Sequence, residues 1–261
     1  AVDAFLSDIK AQVDRASVDA TVTYVQGNSE PFRFTDEQTG LELETAAIRT
    51  RMEAAILNLS PGTEALQPKE ISPNVYRAEL ENATVLRARV VMPLSGSAAA
   101  QENAVLAAAQ FQNVRLEAGE RLSFNQTVGL RTDESGYVQA EEPAYGQDIS
   151  GIGGGVCQVS TALYRLALLG GLEVAERSAA VYPVPYCEAG QEAAVSDQGL
   201  DLVFVNNTQT PLFLTARVYG TDGGQTMELQ LIGQPTDGRF ALESEIETID
   251  APDEPVYVRD S

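Results

Sequence analysis

Residues 151–161 read Gly-Ile-Gly-Gly-Gly-Val-Cys-Gln-Val-Ser-Thr, so three adjacent glycines run directly into an apolar-periodic segment. No other stretch limits the fold as tightly. Glycines take left-handed or strained backbone angles that other residues avoid, and their N–H groups carry no side-chain cover. Val156, Val159, Leu163, Tyr164, Leu166 and Ala167 then recur as on one helix face, and Gly170-Gly171 stops the pattern. A sharp turn followed at once by a helix is therefore predicted, with Cys157 near the helix start. The positive end of that helix and its unpaired N–H groups would stabilise a thiolate, and the same donors would hold the oxyanion of an acyl intermediate. The residues leave two other readings open: a small buried cysteine in a tight turn, or half of a bridge to Cys187. A phosphate cradle fits poorly, because neither the P-loop pattern nor the dinucleotide spacing is present.

Composition decides which chemistry such a thiol can draw on. The 261 residues hold 17 Lys+Arg against 38 Asp+Glu, a formal net charge of −21, and no histidine. Without histidine there is no Ser-His-Asp or Cys-His machinery in cis, no HExxH zinc site and no imidazole switch near neutrality. The acid excess argues against nucleic acid and against an anionic membrane surface, both of which need clustered basic residues. We expect no cofactor and no metal. Two cysteines are too few for a disulfide scaffold, and 44% hydrophobic residues are enough for a core without one. No apolar run approaches 20 residues, and the sequence starts at Ala1, which reads as a trimmed ectodomain or processed fragment whose membrane anchor lies outside this chain.

Along the chain, Val2, Phe5, Leu6, Ile9 and Val13 predict a first helix, and Ala20–Val25 with Phe32–Phe34 predict a hairpin turning at Gly27-Asn28. A second helix is predicted over 45–59, ended by Pro61-Gly62, and a loop then a strand over 66–92. The small-residue stretch Pro93–Ala98 reads as a domain junction near residue 95. After it come a helix over 99–114, an irregular site-building region over 115–156 and the Cys157 helix. Strands are predicted at Val181–Tyr186, Leu200–Val205, Phe213–Tyr219 and Met227–Ile232. Residues 233–261 carry eight acids against Arg239 and Arg259 and read as an acidic connector. The fold class is α+β, with two domains at 1–94 and 95–232, each a mostly antiparallel sheet with packed helices.

Gly119-Glu120-Arg121-Leu122-Ser123-Phe124-Asn125, Val128-Gly129, Gly136-Tyr137 and Gly153–Thr161 resemble the VanW-like family in order and spacing. The match continues through Gly171-Leu172, Glu176-Arg177, Tyr182-Pro183-Val184, Gly190 and Asp201-Leu202 to Asn206-Asn207-Thr208, covering about residues 99–220. Phe32–Phe34, Thr35-Asp36-Glu37 and Gly40 are similar to a peptidoglycan-binding domain often placed before VanW-like domains. The resemblance implies a bacterial protein at the cell surface, acting on peptidoglycan or its peptide stems. It also implies chemistry of the L,D-transpeptidase kind, in which a cysteine attacks a stem peptide bond and passes the acyl group to an amine.

Carried onto this chain, the nucleophile is Cys157, with Gly154 and Gly155 as oxyanion donors and Gln158 and Ser160 as helix caps or substrate contacts. Where the family usually has a histidine after Glu176-Arg177, this chain reads Ser178-Ala179-Ala180-Val181. Glu192, which corresponds to a later family acid, or Asp148, Glu141, Glu142 or Tyr182 would then have to move the proton. Arg177 could anchor a substrate carboxylate or pair with Glu173 or Glu176. Tyr137, Tyr145, Tyr164, Tyr182 and Tyr186 could line a glycan groove or fill the core. The readings carried forward are a cysteine acyl-transfer enzyme, a non-catalytic peptidoglycan-binding module, and an envelope protein with a Cys157–Cys187 bridge.

Overall fold

The structure, a computed structural model, describes residues 2–25, 30–63, 65–142, 149–221, 224–236, 238–245 and 247. Helix α1 (Val2–Val13) is followed by strands β1 (Thr21–Tyr24), β2 (Phe32–Thr35) and β3 (Gly40–Glu42), helix α2 (Thr45–Leu57), strand β4 (Lys69–Ile71) and helix α3 (Arg77–Asn82). Then come β5 (Val85–Pro93), α4 (Ala98–Ala109), β6 (Val114–Leu116), β7 (Arg121–Ser123), α5 (Phe124–Val128), a 3-10 turn at Asp133–Ser135, β8 (Gln139–Glu142) and β9 (Ile149–Ile152). Helix α6 (Cys157–Leu169) leads to β10 (Glu173–Glu176), β11 (Val203–Val205), β12 (Leu212–Thr221) and β13 (Gly224–Gly233). The class is α+β, and every strand pairing is antiparallel.

The central layer is a four-stranded sheet in the order β5-β13-β12-β6. Successive residues of its strands point to opposite faces. Ala88, Val90 and Met92 of β5, Leu212, Leu214 and Ala216 of β12, and Met227, Leu229 and Leu231 of β13 point to one side, where α4 and α6 close the main core. Leu163 and Leu166 of α6 are fully buried there, each contributing about 1.5–3 kcal/mol by leaving water. On the opposite face, Phe213 and Ile232 are covered by the β1-β2 hairpin and α3 through Val22, Phe32 and Leu80. Leu6, Leu43 and Ile48 form a third, smaller core between α1 and α2.

Three expectations change. Strand β5 is hydrogen-bonded to β13 along nearly its whole length, so the main sheet spans the junction placed near residue 95. Residues 181–186 form no strand: Pro183 and Pro185 cannot donate to a ladder, and Val181 is 86% exposed. Within 115–156, β7 joins β11 and β10 in a second sheet, and β8 and β9 form a hairpin beside the glycine run. The turn residues Gly27-Asn28 and the chain beyond residue 247 lie outside the described residues. Among the described residues, no helix is long and apolar enough to cross a membrane.

Candidate functional site

The turn before α6 is held where only glycine fits. Gly153 and Gly155 have φ values of +81° and +99°, and a Cβ at Gly153 would press on the Arg131 stem. A Cβ on Gly154 would occupy the Ala140 carbonyl, and one on Gly155 the Ala100 carbonyl, so strand β8 and helix α4 both touch the turn backbone. Asn103 of α4, buried, fastens this contact. Its Nδ2 donates to the Val138 and Gly154 carbonyls at 2.8 and 3.0 Å, and its Oδ1 accepts from the Val138 N–H at 2.9 Å.

Cys157 is the first residue of α6, and no side chain caps the helix there. Its sulfur is half-buried, lies 3.6 Å from the Val195 carbonyl oxygen and is a thiol rather than half of a disulfide. Cys187 is likewise a thiol, so the bridged reading is set aside. The Cys157 side chain opens into a cleft of about 590 Å³. The walls are largely apolar: Ile152, Val181, Tyr182, Val184 and Leu200 face it, with Arg131, Glu192 and Asp197 supplying the charge.

The wall beside the sulfur is bolted to α6. Ser160 Oγ donates to the Ala193 carbonyl at 2.6 Å, and Thr161 Oγ1 accepts from the Ala193 N–H at 3.1 Å. Ala194 donates to Ser178 O, so the segment where the family usually places a histidine is paired with this wall. Glu192, 9% exposed, receives Arg177 Nη2 on Oε1 at 3.0 Å and the Gly190 N–H on Oε2 at 2.8 Å. Arg177 Nε also donates to the Glu192 carbonyl at 2.7 Å, and its guanidinium lies over the Tyr164 ring. On the other side of the cleft, Arg131 is 7% exposed. It bonds Asn125 Oδ1 through Nη1 and pairs with Asp197 through Nη2 at 2.6 Å, while its own N–H donates to Asp197 Oδ2.

Several expected roles therefore move. Gln158 is fully buried, exchanging bonds with the Ser95 backbone and accepting from the Ser95 hydroxyl, so it tethers α6 to the chain leaving β5 instead of meeting substrate. Ser160 is fully buried and holds the cleft wall. Gly154 donates its N–H to Gly151 O, which takes that donor out of the oxyanion role. Arg177 pairs with Glu192, not with Glu173 or Glu176. Tyr182 stands at the cleft rim, and Tyr137 is buried in the core. Glu141 lies on β8 away from the cleft lining, while Asp148, Tyr145 and the side chain of Glu142 lie outside the described residues. The sequence reasoning passed over Arg131, Asp197 and Asn103. Arg131 lies two residues after the Val128-Gly129 pair, but its partner is 66 positions away.

The second thiol has a different setting. Cys187 sits in a shallow pocket with Arg165, Glu188 and Gln191, and burial, reinforced by the nearby Glu192 carboxylate, pushes its thiol up to about 11.

With this geometry in place, the profile of the family described as VanW like protein matches residues 99–229. The chain belongs to the VanW-like family. Membership relates it to the cell wall. The matched region runs from α4 through β13 and holds the glycine turn, Cys157 and the whole cleft lining. The uncharacterized protein YoaR of Bacillus subtilis strain 168 is 36% identical over 126 residues, 48% of this chain. The chain spans 42% of that relative's length. No solved structure matches significantly.

Proposed function

We propose that this VanW-like chain performs acyl transfer on the peptide stems of the cell wall at the bacterial surface, with Cys157 as nucleophile. The observation that carries the reading is the thiol's position: first residue of α6, at a helix start without a side-chain cap, outside any disulfide and open to an apolar cleft. In the reaction the thiol sheds its proton and the sulfur attacks a stem carbonyl carbon. The C–N bond breaks, and the departing amine takes up a proton. An incoming amine then attacks the thioester, restores an amide and returns the sulfur to the thiolate. Glu192 has both oxygens turned to Arg177 and Gly190, so protons pass through solvent in the open cleft, with the Tyr182 hydroxyl at the rim. The same saturation of Glu192, together with the absence of histidine, favours the second reading, a peptide-stem-binding module without turnover.

The test is incubation of the folded, reduced protein with a tetrapeptide stem and with the same stem carrying a C-terminal amide, followed by intact mass. An acyl adduct that is lost in Cys157→Ala supports transfer. Binding without an adduct supports the binding module, and an identical product from Cys157→Ala refutes the nucleophile.

A further inference from the structure

Both arginines near the cleft face a carboxylate of this chain. Arg131 is buried, with its stem against Gly153 and its guanidinium shared between Asn125 and Asp197. Arg177, behind the wall, gives its bonds to Glu192 and to the Gly190 carbonyl. No other Lys or Arg lines the cleft among the described residues. The Asp197 side chain, by contrast, keeps 29% of its surface open, and the rest of the wall is aliphatic or tyrosyl. A carboxylate entering this cleft would lose hydration, meet no arginine that is not already ion-paired and lie beside the open edge of Asp197, on a chain of net charge −21.

We propose that the Cys157 cleft selects an uncharged or amine-bearing peptide segment and rejects a free carboxylate. This deepens the acyl-transfer reading and rests on it only for the identity of the substrate. The peptide bond presented to the sulfur is then an internal bond, or one followed by an amidated residue, and the residue beyond it does not end in a free carboxylate. The amine that completes transfer suits the same surface, because an ammonium gains from the open edge of Asp197.

Two alkylating reagents of nearly equal size separate charge from shape: neutral iodoacetamide and anionic iodoacetate. Their rates at Cys157 are read by peptide mapping of the full chain, with N-acetylcysteine as the reference thiol. The preference for iodoacetamide is expected to exceed that of the reference by about tenfold, as like charges in a partly desolvated site require. Val181→Lys places a cation at the rim on a side chain 86% exposed, and is expected to return the preference to within a few-fold of the reference.

A wild-type preference equal to the reference, an unchanged preference in Val181→Lys, or no reaction at Cys157 with either reagent overturns the inference. Selective labelling without an acyl adduct would sink the transfer reading alone. An adduct formed equally well from the free acid and the amide would sink this inference alone.

Discussion

The two cysteines lie on either side of one wall, yet their surroundings have opposite electrostatic character. Cys157 stands at a helix start without a side-chain cap and on the apolar cleft, where the charges are paired across Arg131–Asp197 and Arg177–Glu192. Cys187 sits among loop residues near Glu188 and Glu192, and its proton is held to about 11. The sulfur chemistry is the same in both places. Position relative to a helix start and depth of burial set the two thiols apart, and a count of cysteines carries no such information.

That contrast breaks most completely at the glycine turn. Gly155→Ala drives a methyl into the Ala100 carbonyl at a φ of +99°, so a loss on the order of 3 kcal/mol or more is expected in denaturant unfolding. Cys157 would lose its selectivity along with the turn.

The other side of the comparison is the behaviour of Cys187. At pH 8, a thiol held near 11 is about a thousandth thiolate, roughly a hundredfold below an ordinary thiol. Greater intrinsic nucleophilicity returns about tenfold of this, so alkylation at Cys187 should run about tenfold slower than at a free thiol. Its rate should climb with pH until about 11. Because the folded value is raised, the stability linked to it is complete below the ordinary value near 9.0 and is lost as pH rises through about 11. A plateau near pH 9 would contradict the assignment.

Asn103→Ala should cost about 2 kcal/mol, since it takes away the partners of the Val138 N–H and of the Gly154 carbonyl, while the Val138 carbonyl keeps the Gly153 N–H. Thermal unfolding checks it, and a change under 0.5 kcal/mol would show the contact to be dispensable. The smallest effect expected is from Glu192→Gln. Removing that charge lowers the Cys187 value while burial, the larger cause, still holds it above normal. Labelling at Cys187 near pH 9 should rise only a few-fold.

How much of this was legible in the sequence differs between the same two regions. The α6 start could be read because glycine triplet, cysteine and apolar period lie within 20 residues and report local backbone demands. Helix α2 and the β12 and β13 strands were legible for the same reason, through periodicity. Helix α3, six residues long and mostly polar, carried too little pattern, and β5 gave no sign that it pairs with a strand more than 130 residues later.

The cleft walls were less legible still. Arg131 and Asp197 meet through chain topology, and Glu192 faces Arg177 because Ser160 and Thr161 clamp Ala193 to α6. Gln158 and Ser160 look like site residues by proximity to Cys157, but on a helix packed against both sheet and loop, neighbours in sequence point to different sides. The apolar alternation at 181–186 reads as a strand, but Pro183 and Pro185 have no N–H to give a ladder.

The central claim is that Cys157 forms the acyl bond, and trypsin separates the two thiols cleanly: Thr132–Arg165 carries Cys157 and Ser178–Arg217 carries Cys187. The decisive measurement is the mass of these two peptides after the folded, reduced protein has been incubated with an amidated stem peptide and quenched in acid. The account predicts the acyl mass on Thr132–Arg165 and an unmodified Ser178–Arg217. Acyl mass on Ser178–Arg217, or none on either peptide, would contradict it.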